Sequence, residues 1–142
     1  SANVGALIGH DFCAISLSDL LTPRDDIIAR VEAAAAGDFV IAFYNPVSRK
    51  RRSLFAEACK ILGNHRPAAT PVLLASNLGR PEQQLRARTL ASVTTDEVDM
   101  LTIVLVGASA TRAFRTGDTG AGANGTVMYT PRGYARKRDA AE

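Results

Sequence analysis

The sequence predicts an α/β fold, a three-layer sandwich around a mixed sheet of roughly five strands, because strand and helix signals alternate along it. Three observations carry this prediction. Phe39-Val40-Ile41-Ala42-Phe43-Tyr44 is an almost continuous apolar run, as in a strand covered on both faces. Met100 to Val106 repeats that character further on. The segments between the strands carry helix start and stop signals.

In chain order, Phe12-Cys13-Ala14-Ile15-Ser16-Leu17 reads as a short, partly β-branched strand followed by the turn-forming pair Ser18-Asp19. Thr22 is placed to cap a helix, Pro23 suits its first position, and Asp25 meets the free backbone N–H groups. That helix runs from Pro23 to Ala36, with Ile27, Ile28 and Val31 inward and Gly37 as its stop. The run after Asp38 is then the central parallel strand, ended by Asn45-Pro46. A second helix from about Ser48 to Leu62 places Leu54, Ala58, Ile61 and Leu62 on one face before Gly63. Pro71 opens another strand through Ala75. Ser76-Asn77-Leu78-Gly79-Arg80-Pro81 has neither period and is a loop. Leu85, Ala87 and Thr89 alternate with Arg86 and Arg88 as in an edge strand. Met100 to Val106 is the last strong strand. Residues 116–126 are Gly, Ala, Thr, Asp and Asn, too poor in apolar groups to pack, and are expected to form a flexible loop.

A chain of 142 residues suits one domain with a real core. Its 46% hydrophobic and 22% charged residues are those of a soluble globular protein. No apolar run approaches the roughly 20 residues of a membrane-spanning helix. The amino end carries no secretory pattern, so a cytoplasmic location is expected, although Ser1-Ala2-Asn3 reads as a cut rather than a start. Cys13 and Cys59 lack the spacing of a disulfide framework or zinc site and read as small core residues. The net charge of +3 is concentrated in Arg49-Lys50-Arg51-Arg52 and in Arg132 to Arg138, so an anionic ligand is expected.

Gly120-Ala121-Gly122-Ala123-Asn124-Gly125 fits the dinucleotide fingerprint on paper but opens no helix, which leaves a surface loop. His10 and His65 have no partner at a metal-ligand or general-base spacing, so metal chemistry is not expected. His65 reads as a surface residue at a helix exit, and His10 pairs with Asp11. Arg49 to Arg52 lie at a helix start, where a polyanion would offset their repulsion with the helix dipole. Nucleic acid is disfavoured as that polyanion, since aromatic residues are only 6% and none interleave the cluster. The best site candidates are the two strand-end loops, Tyr44-Asn45-Pro46 and Asn77-Leu78-Gly79-Arg80. If their strands are neighbours, they form one ligand edge.

These loops also carry a family resemblance. Residues 9–23, Gly9-His10-Asp11-Phe12 through Leu21-Thr22-Pro23, resemble the interdomain region of precorrin-3B 17-methyltransferases, a branch of the tetrapyrrole methylases. Tyr44-Asn45-Pro46 with Ser48 to Arg51, Asn77 to Arg80, Val98-Asp99-Met100-Leu101-Thr102, and Thr130-Pro131-Arg132-Gly133-Tyr134 match the same family in order. The resemblance implies two α/β domains holding S-adenosylmethionine between them, with no metal cofactor, and a homodimer when intact. It implies methylation of carbon 17 of precorrin-3B with ring contraction to precorrin-4, in cobalamin biosynthesis. The cobalt-bearing substrate of the anaerobic route and another tetrapyrrole methylase are the alternatives. An anion-binding module is the non-enzymatic one.

By position, the resemblance makes Tyr44, Asn45, Asn77 and Gly79 cofactor-binding residues. Ser18, Asp19, Arg49, Lys50, Arg51 and Arg52 become candidates for the tetrapyrrole and its carboxylates. No catalytic acid or base is identified. The chain then corresponds to the carboxyl-terminal domain over residues 1–142, with residues 1–11 a remnant of the interdomain region. The amino-terminal domain is expected to be a missing partner, and the isolated domain to be inactive. Neither nucleic acid nor membrane is expected as a partner.

Overall fold

The structure, a computed structural model, describes residues 1–47 and 52–132. After a short 3-10 turn at Ala2–Val4, the elements are β1 (Gly5–Ala6), β2 (Phe12–Ser16), α1 (Arg24–Ala36), β3 (Val40–Tyr44), α2 (Ser53–Gly63), β4 (Pro71–Ser76) and β5 (Gln84–Thr89). A second 3-10 turn, Thr95–Glu97, precedes β6 (Thr102–Val106), β7 (Arg112–Arg115) and β8 (Thr126–Tyr129).

The main sheet has five strands in the order β2-β3-β6-β4-β5. Only β2 and β3 are parallel, and the other pairings are antiparallel. The apolar runs explain its position. In β4 all six residues are buried, so alternate side chains serve two cores. Ile15, Ile41, Phe43, Val72, Leu74, Val104 and Val106 face α1 and α2, where they meet Ile27, Val31, Leu54, Phe55 and Leu62. Phe43 and Phe55 are fully buried, each contributing about 2–3 kcal/mol by removal of apolar surface from water. Leu73 and Leu105 face the opposite way and pack on Val4, Leu7, Ala123 and Met128, with Ala42, Leu85 and Ala87 at the margin.

The layers are therefore helices, a mixed five-stranded sheet, and a small sheet ordered β1-β8-β7. The expected α/β class and mixed five-stranded sheet are present, and the third layer is made of strands. Periodicity could not reveal β7, because all four of its residues are exposed. Nor is the run beginning at Val40 central. Its strand, β3, is second in the sheet and parallel only to β2, while β6 is the middle strand.

Three local expectations are corrected. Pro23, with extended backbone, takes the cap position of α1, so the helix starts at Arg24 and Thr22 is not its cap. Asp25 and Asp26 complement the dipole in its first turn. The second helix begins at Ser53, five residues after the expected Ser48, so Arg52 is its cap residue and not part of its first turn. Ser48, Arg49, Lys50 and Arg51 lie outside the described residues, as do Gly133, Tyr134 and the rest of the terminal basic stretch. Finally, the 116–126 segment packs in part, at Ala123 and Gly125, while 117–120 and Asn124 are exposed. Ala123 is buried, the Thr116 N–H donates to the Gly125 carbonyl at 2.7 Å, and Gly122 has φ 58°. A Cβ on Gly122 would lie 2.1 Å from the Thr126 carbonyl oxygen. Close backbone approach, not apolar content, makes this turn.

A buried cation braces the sheet at the amino ends of β2 and β3. Arg66, just past α2, has a fully buried side chain and donates from Nη1 to the carbonyls of Phe39, at 3.0 Å, and Gly107. Burial pulls its pKa down, opposed by Asp38 and Cys13. Asp38, with φ 55°, makes the chain reversal expected of Gly37 and accepts from the Ser109 N–H at 2.8 Å and hydroxyl at 2.6 Å. Cys13 and Cys59 pack against the helix-side core. Burial pushes the Cys59 thiol up to about 12.

Candidate functional site

Strand direction assembles the candidate edge. Because β6 runs antiparallel to both β3 and β4, those two strands point the same way, and β2 lies parallel to β3. The carboxyl ends of β2, β3 and β4 therefore emerge on one edge, together with the amino ends of β6 and β5. Ser18 and Asp19 follow β2, Tyr44 and Asn45 close β3, and Asn77 and Gly79 follow β4. The candidates meet on one edge as expected, with one correction. The strands β3 and β4 are not neighbours, since β6 lies between them.

Backbone hydrogen bonds join these loops. The Leu17 N–H donates to the Tyr44 carbonyl at 3.0 Å, and the Asn77 N–H donates to the Leu101 carbonyl at 3.1 Å. Asn45, Asn77 and Gly79 all have left-handed backbone, at φ 51°, 53° and 73°. Asparagine tolerates this better than most residues. At Gly79 the space a Cβ would occupy is open, with nothing within 4 Å. The Gly79 N–H donates to Gln83 Oε1 at 2.9 Å, a bond within the loop.

The rim of this edge is apolar. Leu20 and Leu21 are 72% and 93% exposed, and Tyr44, Leu78, Met100 and Leu101 are each about half exposed. Apolar groups gathered this way are a mark of an interaction surface. Among the described residues, pockets open at the opposite end of the sheet. One is lined by Gly9, His10, Asp11, Phe12 and Arg132, another by His10, Asp11, Asp38, Ser109 and Thr130, and another by Thr70, Pro71, Thr111 and Arg112.

Of the four basic residues expected to meet an anion, only Arg52 is described. It is engaged elsewhere, donating to Asp96 Oδ1 at 2.7 Å and to the Thr95 carbonyl at 3.1 Å. Exposed pairs of this kind carry little energy.

Residues 1–94 match the family model of the Tetrapyrrole (Corrin/Porphyrin) Methylases. The chain belongs to the tetrapyrrole methylase family. It is 40% identical over 136 residues to a precorrin-3B C(17)-methyltransferase of Sinorhizobium sp, covering 95% of this chain and 51% of that protein. It is 41% identical over 131 residues to a probable cobalt-factor III C(17)-methyltransferase of Salmonella typhimurium, covering 92% and 50%. A crystal structure of the methyltransferase CobJ superposes with a TM-score of 0.78 at 41% identity, over 92% of this chain and 50% of that one. This tetrapyrrole methylase chain thus spans about half the length of these relatives.

Beside the edge of this methylase domain lies a hub that sequence reasoning missed. The Thr95–Glu97 turn is closed by a capping box, with the Thr94 N–H donating to Glu97 Oε2 at 3.2 Å. Arg88 donates to Glu97 Oε1 at 2.6 Å, and Arg86 to the Glu97 carbonyl at 2.6 Å. The Thr94-x-x-Glu97 spacing was the available signal. Arg88, through its hydrogen bond, is the main cause holding the Glu97 carboxyl below its ordinary value of 4.5. A lowered carboxyl pKa stabilises above the unfolded value and loses that stabilisation as pH falls through the folded one. Glu97→Gln is therefore expected to lose less stability than the unaltered chain between about pH 6 and about pH 3, read by denaturant unfolding at each pH. An equal loss in both would contradict this.

Proposed function

We propose that the protein containing this chain is an S-adenosylmethionine-dependent methyltransferase of cobalamin biosynthesis, acting on carbon 17 of precorrin-3B or its cobalt-bearing counterpart. The observation that carries this reading is the 40% identity, across 95% of the chain, to a protein named for that activity. The chain is the carboxyl-terminal half, and its candidate edge is one wall of the cofactor cleft. The apolar rim of Leu20, Leu21, Leu78, Met100 and Leu101 supports an amino-terminal half as the partner that covers it. By resemblance alone, the reading extends to a cytoplasmic homodimer.

The residues present fit one wall of a cofactor site. Gly79 offers bare backbone with open space above it, and Asn45 and Asn77 turn the chain sharply at the ends of two like-directed strands. Tyr44, Asn45, Asn77 and Gly79 would hold S-adenosylmethionine, which when bound supplies an electrophilic methyl group. The protein's task is then to hold a carbon nucleophile in line with that methyl, so the contribution of these residues is proximity and orientation. Ser18 and Asp19 follow Leu17, whose N–H bonds the Tyr44 carbonyl, and would help to position the macrocycle. Arg49, Lys50 and Arg51 would supply cations for its carboxylates, and Arg52 would join them only by leaving Asp96.

The full protein, given S-adenosylmethionine with precorrin-3B or with its cobalt form, is expected to yield a product heavier by one methyl group. Mass spectrometry reads the result, and no methylated product from either substrate overturns the proposal. The isolated 142-residue chain is expected to bind the cofactor weakly in calorimetry, because only one wall is present. Salt-dependent nucleic-acid binding without tetrapyrrole affinity would favour the anion-binding alternative instead.

A further inference from the structure

The left-handed turn at Asn77 begins where the strand ladder stops. Ser76 pairs with Thr102 at the end of the β4–β6 register, and just beyond it the Asn77 N–H has its bond to the Leu101 carbonyl. A left-handed residue other than glycine is disfavoured and persists where its surroundings over-determine it. The over-determining groups lie directly below. Thr102 Oγ1 is 2.7 Å from Asp99 Oδ1 and 2.9 Å from Ser76 Oγ, and Ser76 Oγ is 3.3 Å from Arg86 Nη2.

The hydrogens in this chain have one consistent arrangement. An ionised carboxylate only accepts, so the single Thr102 hydroxyl hydrogen goes to Asp99. Ser76 must then donate to Thr102, leaving its own oxygen to accept from Arg86. The resulting row runs from guanidinium through two buried hydroxyls to a carboxylate, and each bond polarises the next. Asp99 reaches the turn by a second route as well. Its Oδ1 accepts from the Leu101 N–H at 2.9 Å, and the carbonyl of that same Leu101 holds Asn77.

We propose that Asp99 is the positioning residue of the 77–79 turn, acting through Thr102 and Ser76 on one side and through Leu101 on the other. For the reaction, this rests on the reading of Asn77 and Gly79 as cofactor-lining. Asp99 itself is exposed, so its replacement removes the anchor without opening a cavity. The test compares Asp99→Ala and Asp99→Asn with the unaltered full protein, using S-adenosylhomocysteine as the probe in calorimetry. Asp99→Ala is expected to weaken binding about tenfold, and Asp99→Asn, which keeps an acceptor oxygen, to recover most of that loss. Equal affinity in all three, or no recovery by Asn, overturns the proposal.

Hydrogen exchange at the Asn77 amide supplies a readout independent of the cofactor. It is expected to speed up about tenfold in Asp99→Ala. Should the unaltered protein not bind the probe, the functional reading fails by itself, and this measurement still decides the positioning role: faster exchange supports it, and unchanged exchange overturns it.

Discussion

Gly79→Asn in the full protein is expected to lower methyl transfer at limiting cofactor about a hundredfold, with a melting temperature within about 2 °C of the unaltered protein. The two halves of this result have separate causes. Asparagine is among the side chains that best tolerate left-handed backbone, and Gly79 has φ 73° with no atom within 4 Å of the added Cβ, so the fold has room for it. The new side chain would occupy the open space that the proposed cofactor uses, and displacing reacting groups by about 1 Å can cost two orders of magnitude. Steady-state kinetics at varied S-adenosylmethionine and a thermal melt check it together. Unchanged kinetics would remove Gly79 from the cofactor wall, whereas a large fall in melting temperature would make the position structural.

Arg66→Met is expected to be the most damaging single change to stability, costing about 3–5 kcal/mol and lowering the melting temperature by about 10–15 °C. Methionine fills much of the same volume but leaves the Phe39 and Gly107 carbonyls without the guanidinium that binds both. Each buried carbonyl left unpaired costs about 1–3 kcal/mol. Those two carbonyls precede β3 and follow β6, so the loss falls on the pair of strands that positions Tyr44 and Thr102. Arg66→Lys should recover less than half of the loss, since its shorter stem would have to bring one ammonium to the point from which Nη1 reaches both carbonyls. Circular dichroism on heating provides the measurement, and a fall of under about 3 °C for Arg66→Met would contradict it.

Arg66 also marks a limit of reading the chain as a string. Between His65 and Pro67 at a helix exit, it looks like one more solvated cation. It is buried because the turn after α2 passes beneath the ends of β3 and β6, a relation between segments 27 and 41 residues away. Asp99 and Thr102 are similar. Val98 to Thr102 carried the family resemblance, but the row from Arg86 to Asp99 exists only once β4, β5 and β6 lie side by side. Residues with strong local signals were legible. Pro71 to Ala75 of β4 and the strand β5 follow from apolar pattern, although Ser76 reads as loop and β5 shows no alternation in burial, and α1 ends at Ala36 beside Gly37 as its composition indicates.

What the sequence determined by itself was the class of fold, the principal strands and helices, the family, and the two loops at the ends of β3 and β4. Apolar periodicity and turn chemistry are local properties and survive in a linear reading. Tertiary structure alone decided that β6 enters between β3 and β4, that a small second sheet forms the third layer, and that Arg52 turns to Asp96. Strand order and pairing direction come from which faces bury together across distant segments. No local period records that choice, so the common edge of Tyr44, Asn45, Asn77 and Gly79 became geometry only on folding.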